Sequence, residues 1–269
     1  MKFFKELKVY LKSEWYNFKN YHKIKLITLL LLIALFPITF PLIIIGFIFG
    51  MIIAITPEKR EYDKSLYKLI TKKSYLAIIF DKGSLAEYFT WKILNNQAEY
   101  KKVLINLYIP NKCNTCEIDS ILINKYGIFV IESKGYSGWI FGNENQRNWT
   151  QVLYKRKTKF YNPITQNRNH IKALANILEI KDVNIFKSYI VFSERCELKR
   201  ITANKPNVRV IKRNQLQNAL DKDYEKYGVV LSNSQIRDFN DKLTTYMFID
   251  DNIRSEHIKY VEKVKSQIK

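Results

Sequence analysis

Acidic residues are scarce in this 269-residue chain, 25 Asp and Glu against 45 Lys and Arg, and the net charge is +20. That imbalance favours polyanionic partners, either anionic lipid head groups or nucleic acid. Abundant Lys, Ile, Asn and Tyr is equally what a low-GC genome encodes, so the charge permits such partners without selecting among them. Cysteine is nearly missing: three residues, an odd number, give no disulfide framework and suit a reducing cytosol. No internal repeat is visible, which excludes a solenoid. No Walker motif is present either, so ATP dependence is not expected from this chain alone.

One absence is local. Between Leu26 and Ile55 there is no charged residue, and Leu26 to Phe36 is almost wholly aliphatic. As a helix the segment would extend about 45 Å against a hydrocarbon core of about 30 Å, so a single tilted, kinked transmembrane span is the preferred reading. Pro37 and Pro41 in its middle also admit a shallow re-entrant hairpin. Seven lysines precede the segment and Lys59, Arg60, Lys64, Lys68, Lys72 and Lys73 follow it, so charge does not orient it. The cysteine content instead places the soluble part on the cytoplasmic side of the membrane, expected to be the cell membrane. A cleaved signal peptide is disfavoured, because the basic stretch and the apolar run are both too long and no small-x-small site follows.

What the chain does contain is a pair of carboxylates set to converge. Ile118 to Asn124 and Ile128 to Lys134 are apolar, β-branched runs separated by Lys125-Tyr126-Gly127, which reads as a hairpin. Glu132 and Lys134 share one strand face, and folding back at Gly127 brings Asp119 beside them. Two acids and a cation in an apolar sheet suit a divalent metal and a phosphate. Taken alone, the pattern fits a solvent-facing edge with an ordinary ion pair better, because such short patterns arise often by accident.

The flanking sequence is read as follows. Ser84 has the look of a helix N-cap with Glu87 completing a capping box, for a helix through about Asn95. Val103 to Ile109 reads as a strand ending at Pro110, and Asn111 to Thr115 as loop. Gly135 to Trp149 suggests turns and a short extra hairpin. Asn162-Pro163 opens a helix running to about Glu179. Ile185 to Phe192 and Val208 to Ile211 are strands, and the remainder is mainly helical, with a stripe at Ile236, Phe239, Leu243, Tyr246 and Met247 expected to pack on the sheet. The expected architecture is α/β, a mixed sheet flanked by helices, preceded by an N-terminal transmembrane helix and followed by a helical tail. Its expected divisions are a basic segment at 1–25, the apolar segment at 26–56, a connector at 57–82, the main domain at 83–212 and a C-terminal extension at 213–269.

Several pieces in this order resemble the nuclease-related domain family, NERD, of the PD-(D/E)xK restriction-endonuclease-like superfamily. They are Glu87, Glu117-Ile118-Asp119, Gly127 to Lys134, Gly138, Trp149 and Asn162-Pro163-Ile164-Thr165-Gln166-Asn167-Arg168-Asn169-His170. The resemblance covers about Ser84 to Leu178. Ile118 stands where the superfamily's name has Pro, and Ala86 where Gly is expected. Cys113-Asn114-Thr115-Cys116, just ahead of Asp119, is one CxxC without a second pair, a weak zinc signal.

The resemblance implies a restriction-endonuclease-like core and hydrolysis of nucleic-acid phosphodiester bonds, DNA foremost, with Asp119, Glu132, Lys134, Glu87 and Gln166 as the catalytic set. Asp119, Glu132, the backbone carbonyl of Ser133 and Glu87, the last through water, would hold Mg²⁺ or Mn²⁺. Gln166, near a helix N-terminus, is expected to contact the phosphate backbone, and Lys155, Arg156, Lys157 and Lys159 to follow it. The same basic run also reads as a solvated strand edge, and His170 as a packed or exposed side chain rather than a catalytic one. A different class of function stays open: a non-catalytic, membrane-tethered scaffold binding nucleic acid or protein. Nothing in the sequence marks an oligomeric interface.

Overall fold

The uncharged stretch forms the end of one long helix, α1 (Lys2–Ile55), which continues through Pro37 and Pro41. Each proline removes one backbone donor, and hydroxyls serve carbonyls inside the helix: Thr39 Oγ1 donates to Leu35 O at 3.1 Å and Thr28 Oγ1 to Ile24 O at 2.9 Å. The window Leu35–Ile52 is long and apolar enough to cross a membrane. The computed structural model describes residues 2–111, 114–248, 255 and 259. It divides into two compact units, Met1–Glu61 and Tyr62–Lys269. Cys113 and most of the expected tail beyond 248 lie outside the described residues.

Short helices α2 (Pro57–Asp63), α3 (Leu66–Thr71) and α4 (Tyr75–Phe80) lead into α5 (Lys82–Asn95). The N-cap of α5 is Asp81, not Ser84. The Asp81 carboxylate accepts from the Gly83 and Ser84 amides at 3.3 and 3.0 Å, a stronger cap than a hydroxyl three residues later. Ser84 is therefore buried inside the first turn, and Glu87 is free for another role.

The remaining elements are β1 (Lys101–Asn111), β2 (Asn114–Asn124), β3 (Gly127–Lys134), β4 (Gly138–Asn143), β5 (Asn148–Leu153), β6 (Arg156–Tyr161), α6 (Pro163–Ile177), β7 (Phe186–Phe192), β8 (Cys196–Thr202), β9 (Val208–Lys212), α7 (Leu216–Tyr227) and α8 (Asn233–Thr244). They build two sheets rather than one. The five-stranded sheet has the order β1-β2-β3-β7-β9 and the four-stranded one β6-β5-β4-β8. β1, β2 and β3 are antiparallel neighbours, whereas β3, β7 and β9 run parallel, so the first sheet is mixed. β3 is central, and its near-continuous apolar sequence follows from burial on both faces.

Two expectations change in detail. β1 does not stop at Pro110 but continues to Asn111, because it is an edge strand where a missing donor costs no ladder bond. Within the expected loop at 111–115, Asn111 ends β1 and pairs with Asn114 at the start of β2. The β2–β3 turn falls where expected: Asn124 pairs with Gly127, whose φ is +134° and where a Cβ would lie 2.5 Å from the Ile185 carbonyl oxygen. Only glycine fits there.

Helices cover both faces of the first sheet. Ile128 and Val130 of β3 join a core with Ala173 and Leu174 of α6, while Phe129 and Ile131 face Leu94 of α5 and Leu216 and Leu220 of α7. In α8, Ile236 and Leu243 pack into the former core, together with Met247 beyond its end, as the apolar stripe predicts. The second sheet packs Ile140 and Trp149 on Ile164 of α6 and on Ile190 and Phe192 of β7.

Candidate active site

The site lies where β2 and β3 diverge. Ser120 pairs with Ile131, so the next step along the register sets Asp119 opposite Glu132. There the ladder is replaced by a side chain: the Ser133 amide donates to Asp119 Oδ2 at 2.7 Å. Amide and carbonyl of one strand residue leave on the same edge, so the Ser133 carbonyl is directed toward Asp119. Glu132 is 2% exposed. The Lys134 Nζ donates to Glu132 Oε1 at 2.6 Å and to Gln166 Oε1 at 3.2 Å. Thus Asp119, Glu132, Ser133, Lys134 and Gln166 converge.

α6 is held in place by its own cap. Asn162 is fully buried, and its Oδ1 accepts from the Ile164 and Thr165 amides. Its Nδ2 binds the carbonyls of Asn143, Glu144 and Gln146, which ties the helix start to the β4–β5 loop. Those helix amides are therefore taken, and any phosphate contact from this end belongs to the Gln166 side chain. With its oxygen on Lys134, the Gln166 NH₂ group is the donor left for a ligand. One turn on, His170 is buried with Nε2 3.2 Å from Glu132 Oε2. The contact is an ion pair once His170 is protonated, although its angle lies outside hydrogen-bond geometry.

Glu87 approaches from α5. Tyr67 of α3 places its hydroxyl 3.2 Å from Glu87 Oε2, and Lys73 donates to the Ser84 hydroxyl at 2.5 Å. Glu117, two residues before Asp119 and on the same strand face, accepts from the Tyr108 hydroxyl at 2.8 Å. Tyr67, Lys73, Glu117 and Cys116 are not among the residues that the sequence assigns to the site. Two of them carry a signal: Glu117 its i, i+2 spacing from Asp119, and Cys116 its place in the CxxC.

Crowded carboxylates set the electrostatics. Burial raises Glu87 to about 7, with Glu117 and Glu132 adding to the shift against Lys73 and Tyr67. Burial also raises Asp119 well above the usual carboxylate range, reinforced by Glu132 and Glu87 and opposed by Lys134. For Glu132 burial pushes upward too, but Lys134 and His170 hold it below its ordinary value. Lys134 is raised despite burial by Glu132 and Asp119. Burial works to lower His170, and its contacts with Cys116 and Glu132 overrule this, bringing it to about 10. Glu132 is thus the member that carries charge most readily, while Asp119 and Glu87 are both pushed toward their protonated forms.

Hard oxygens crowded by like charge are what a divalent cation would relieve, so these residues fit Mg²⁺ or Mn²⁺. Among the described residues no three His, Cys, Asp or Glu side chains are gathered to hold an ion as they stand. Backbone oxygen and water would have to complete the shell, as they commonly do around Mg²⁺.

Lys155, Arg156, Lys157 and Lys159 lie elsewhere. They occupy the β5–β6 turn and the edge strand β6 of the second sheet, all exposed. Tyr154 at the hairpin tip is 95% exposed.

The family model described as NERD, nuclease-related domain, matches residues 82–193. The matched stretch holds Glu87, Asp119, Glu132, Lys134 and Gln166 and the basic hairpin. An uncharacterized protein of Bacillus anthracis is 34% identical over 149 residues, 55% of this chain and 68% of that protein. No solved structure matches the chain.

Proposed function

Because the chain belongs to the nuclease-related domain family, we propose that it is a membrane-anchored, metal-dependent nuclease-like enzyme that hydrolyses nucleic-acid phosphodiester bonds, DNA foremost, at the cytoplasmic face. The observation that carries the reading is the convergence of Asp119 and Glu132 on adjacent strands with Lys134 bonded to Glu132. A fold close to that of restriction endonucleases is part of the proposal, supported by a mixed sheet with helices on both faces and the acids on its central strands.

Asp119, Glu132 and the Ser133 carbonyl would hold Mg²⁺ or Mn²⁺, with Glu87 behind a water. The ion would polarise the phosphate and ease ionisation of a coordinated water. Lys134 keeps an ammonium beside the scissile phosphate, where it stabilises charge building on oxygen. Glu132 and Gln166 fix its position, so little reorganisation accompanies the reaction. Gln166 can donate its amide hydrogens to a phosphate oxygen, and the exposed cations of β6 would follow the backbone farther along. Anchoring is supported by the apolar window Leu35–Ile52, and a cytoplasmic site by the free thiols of Cys116 and Cys196.

The test uses the full chain in detergent with supercoiled plasmid and Mg²⁺ or Mn²⁺. Nicking that disappears in Asp119→Ala and Lys134→Ala is expected. Binding without cleavage, or cleavage unchanged in both variants, would refute the catalytic reading, and the former would favour a scaffold.

A further inference from the structure

The segment ahead of the family match is built into the site. Tyr67 belongs to α3, fifteen residues before the matched region starts at residue 82. It is 1% exposed, and its ring is locked by Tyr62, Tyr88 and Trp91 at centroid distances of 6.4, 5.3 and 5.9 Å. Its hydroxyl stands 3.2 Å from both Glu87 Oε2 and the Ser84 carbonyl oxygen. Both partners are acceptors, so the single hydroxyl hydrogen is shared between them and tethers the Glu87 carboxyl at Oε2. A half-buried carboxyl crowded by Glu117 and Glu132 has reason to swing away from them, and the described hydrogen bond that opposes the swing comes from Tyr67.

We propose that Tyr67 is a positioning residue for Glu87, holding this acid toward the Asp119–Glu132 pair so that it can support the divalent cation. The proposal rests on the metal-dependent reading above. It makes the helices before the matched region part of the catalytic machinery rather than a linker. Tyr67 touches neither the proposed cation nor the substrate, and acts through Glu87 alone.

The experiment uses the full chain in detergent, as wild type, Tyr67→Phe, Glu87→Gln, the double variant and Tyr189→Phe. Tyr189 is a control of equal burial whose hydroxyl serves Asp223 and the Ala219 carbonyl, away from the acids. Mn²⁺ binding is read from the electron paramagnetic resonance of the free ion, and plasmid nicking is followed in parallel. Loss of a group that orients a metal-supporting side chain costs about tenfold or more in affinity. Tyr67→Phe is therefore expected to weaken Mn²⁺ binding about tenfold, to recover nicking at raised Mn²⁺, and to add nothing in the Glu87→Gln background. Tyr189→Phe should bind as wild type. Unchanged binding in Tyr67→Phe, or an undiminished extra loss on top of Glu87→Gln, would overturn the proposal while leaving the metal reading intact. A wild-type protein that neither binds Mn²⁺ nor nicks DNA would overturn both. Because the cycle compares the same change in two backgrounds, a general loss of packing cancels.

Discussion

Replacing Lys134 by Met keeps most of the aliphatic stem and removes the charge. Its Nζ lies 2.6 Å from Glu132 Oε1, and Glu132 is 2% exposed, so the variant leaves a carboxylate buried without its nearest cation. Breaking such a pair from one side costs about 3–5 kcal/mol. His170, 3.2 Å from the other oxygen, remains and draws the cost toward the lower end. For a chain of this size a loss of about 3 kcal/mol lowers the melting temperature by about 6–12 °C. Adding Glu132→Gln removes the stranded charge and should bring the double variant back to within about 1 kcal/mol of wild type, since deleting both partners is close to neutral. Thermal unfolding of the full chain in detergent with chelator, followed by near-ultraviolet circular dichroism, measures all three. Nicking should be absent from both variants, which separates stability from turnover. A single variant that melts with wild type, or a double variant less stable than the single, would refute the reasoning.

Glu87 makes metal-free stability depend on pH. Its folded pKa of about 7 exceeds the ordinary 4.5, so the folded state holds the proton more tightly; the contribution is full below pH 4.5 and is lost as pH rises through 7. Over that window stability should fall by about 3 kcal/mol, and Glu87→Gln should flatten the profile in chelator-containing melts. Gly127→Ala forces a side chain into φ +134° and against the Ile185 carbonyl; a loss of about 2 kcal/mol or more is expected in chemical denaturation, and wild-type stability would contradict it. Changing Lys155, Arg156, Lys157 and Lys159 to Ala should lower the slope of log affinity against log salt by about 0.9 for each phosphate no longer neutralised, while leaving the melting temperature in place. An unchanged slope in a filter-binding series would remove the hairpin from the DNA path.

The acid pair was legible because local rules carry it. Alternation of apolar residues, a glycine at the turn and the i, i+2 relation of Glu132 to Lys134 fix their faces without reference to the rest of the chain. The α6 start was legible for the same reason, Asn162-Pro163 being a local signal. The second sheet was not, beyond a short hairpin. Its β6 sequence, Arg156 to Tyr161, is half charged and mostly exposed, so it shows no apolar face although it pairs locally with β5; β8 mixes charged and apolar residues without a clean period and is held by pairing with β4 across a long sequence separation. Ser84 misled because its capping-box pattern was complete, yet Asp81, three residues earlier, starts the helix by accepting from the Gly83 and Ser84 amides with a charged group. Tyr67 carried no signal at all, since its partner lies twenty residues away across a helix packing that no spacing rule encodes.

The buried clamp at Asn162 has an evolutionary consequence. One side chain fastens three loop carbonyls and starts α6, so the register of Gln166 and His170 is set below the point where the β5–β6 hairpin departs. The hairpin can lengthen, shorten or change its charge at the Tyr154 tip without displacing the acids. Under the proposed nuclease function, nucleic-acid contact at the hairpin and hydrolysis at the acids would then be inherited through separate stretches of sequence.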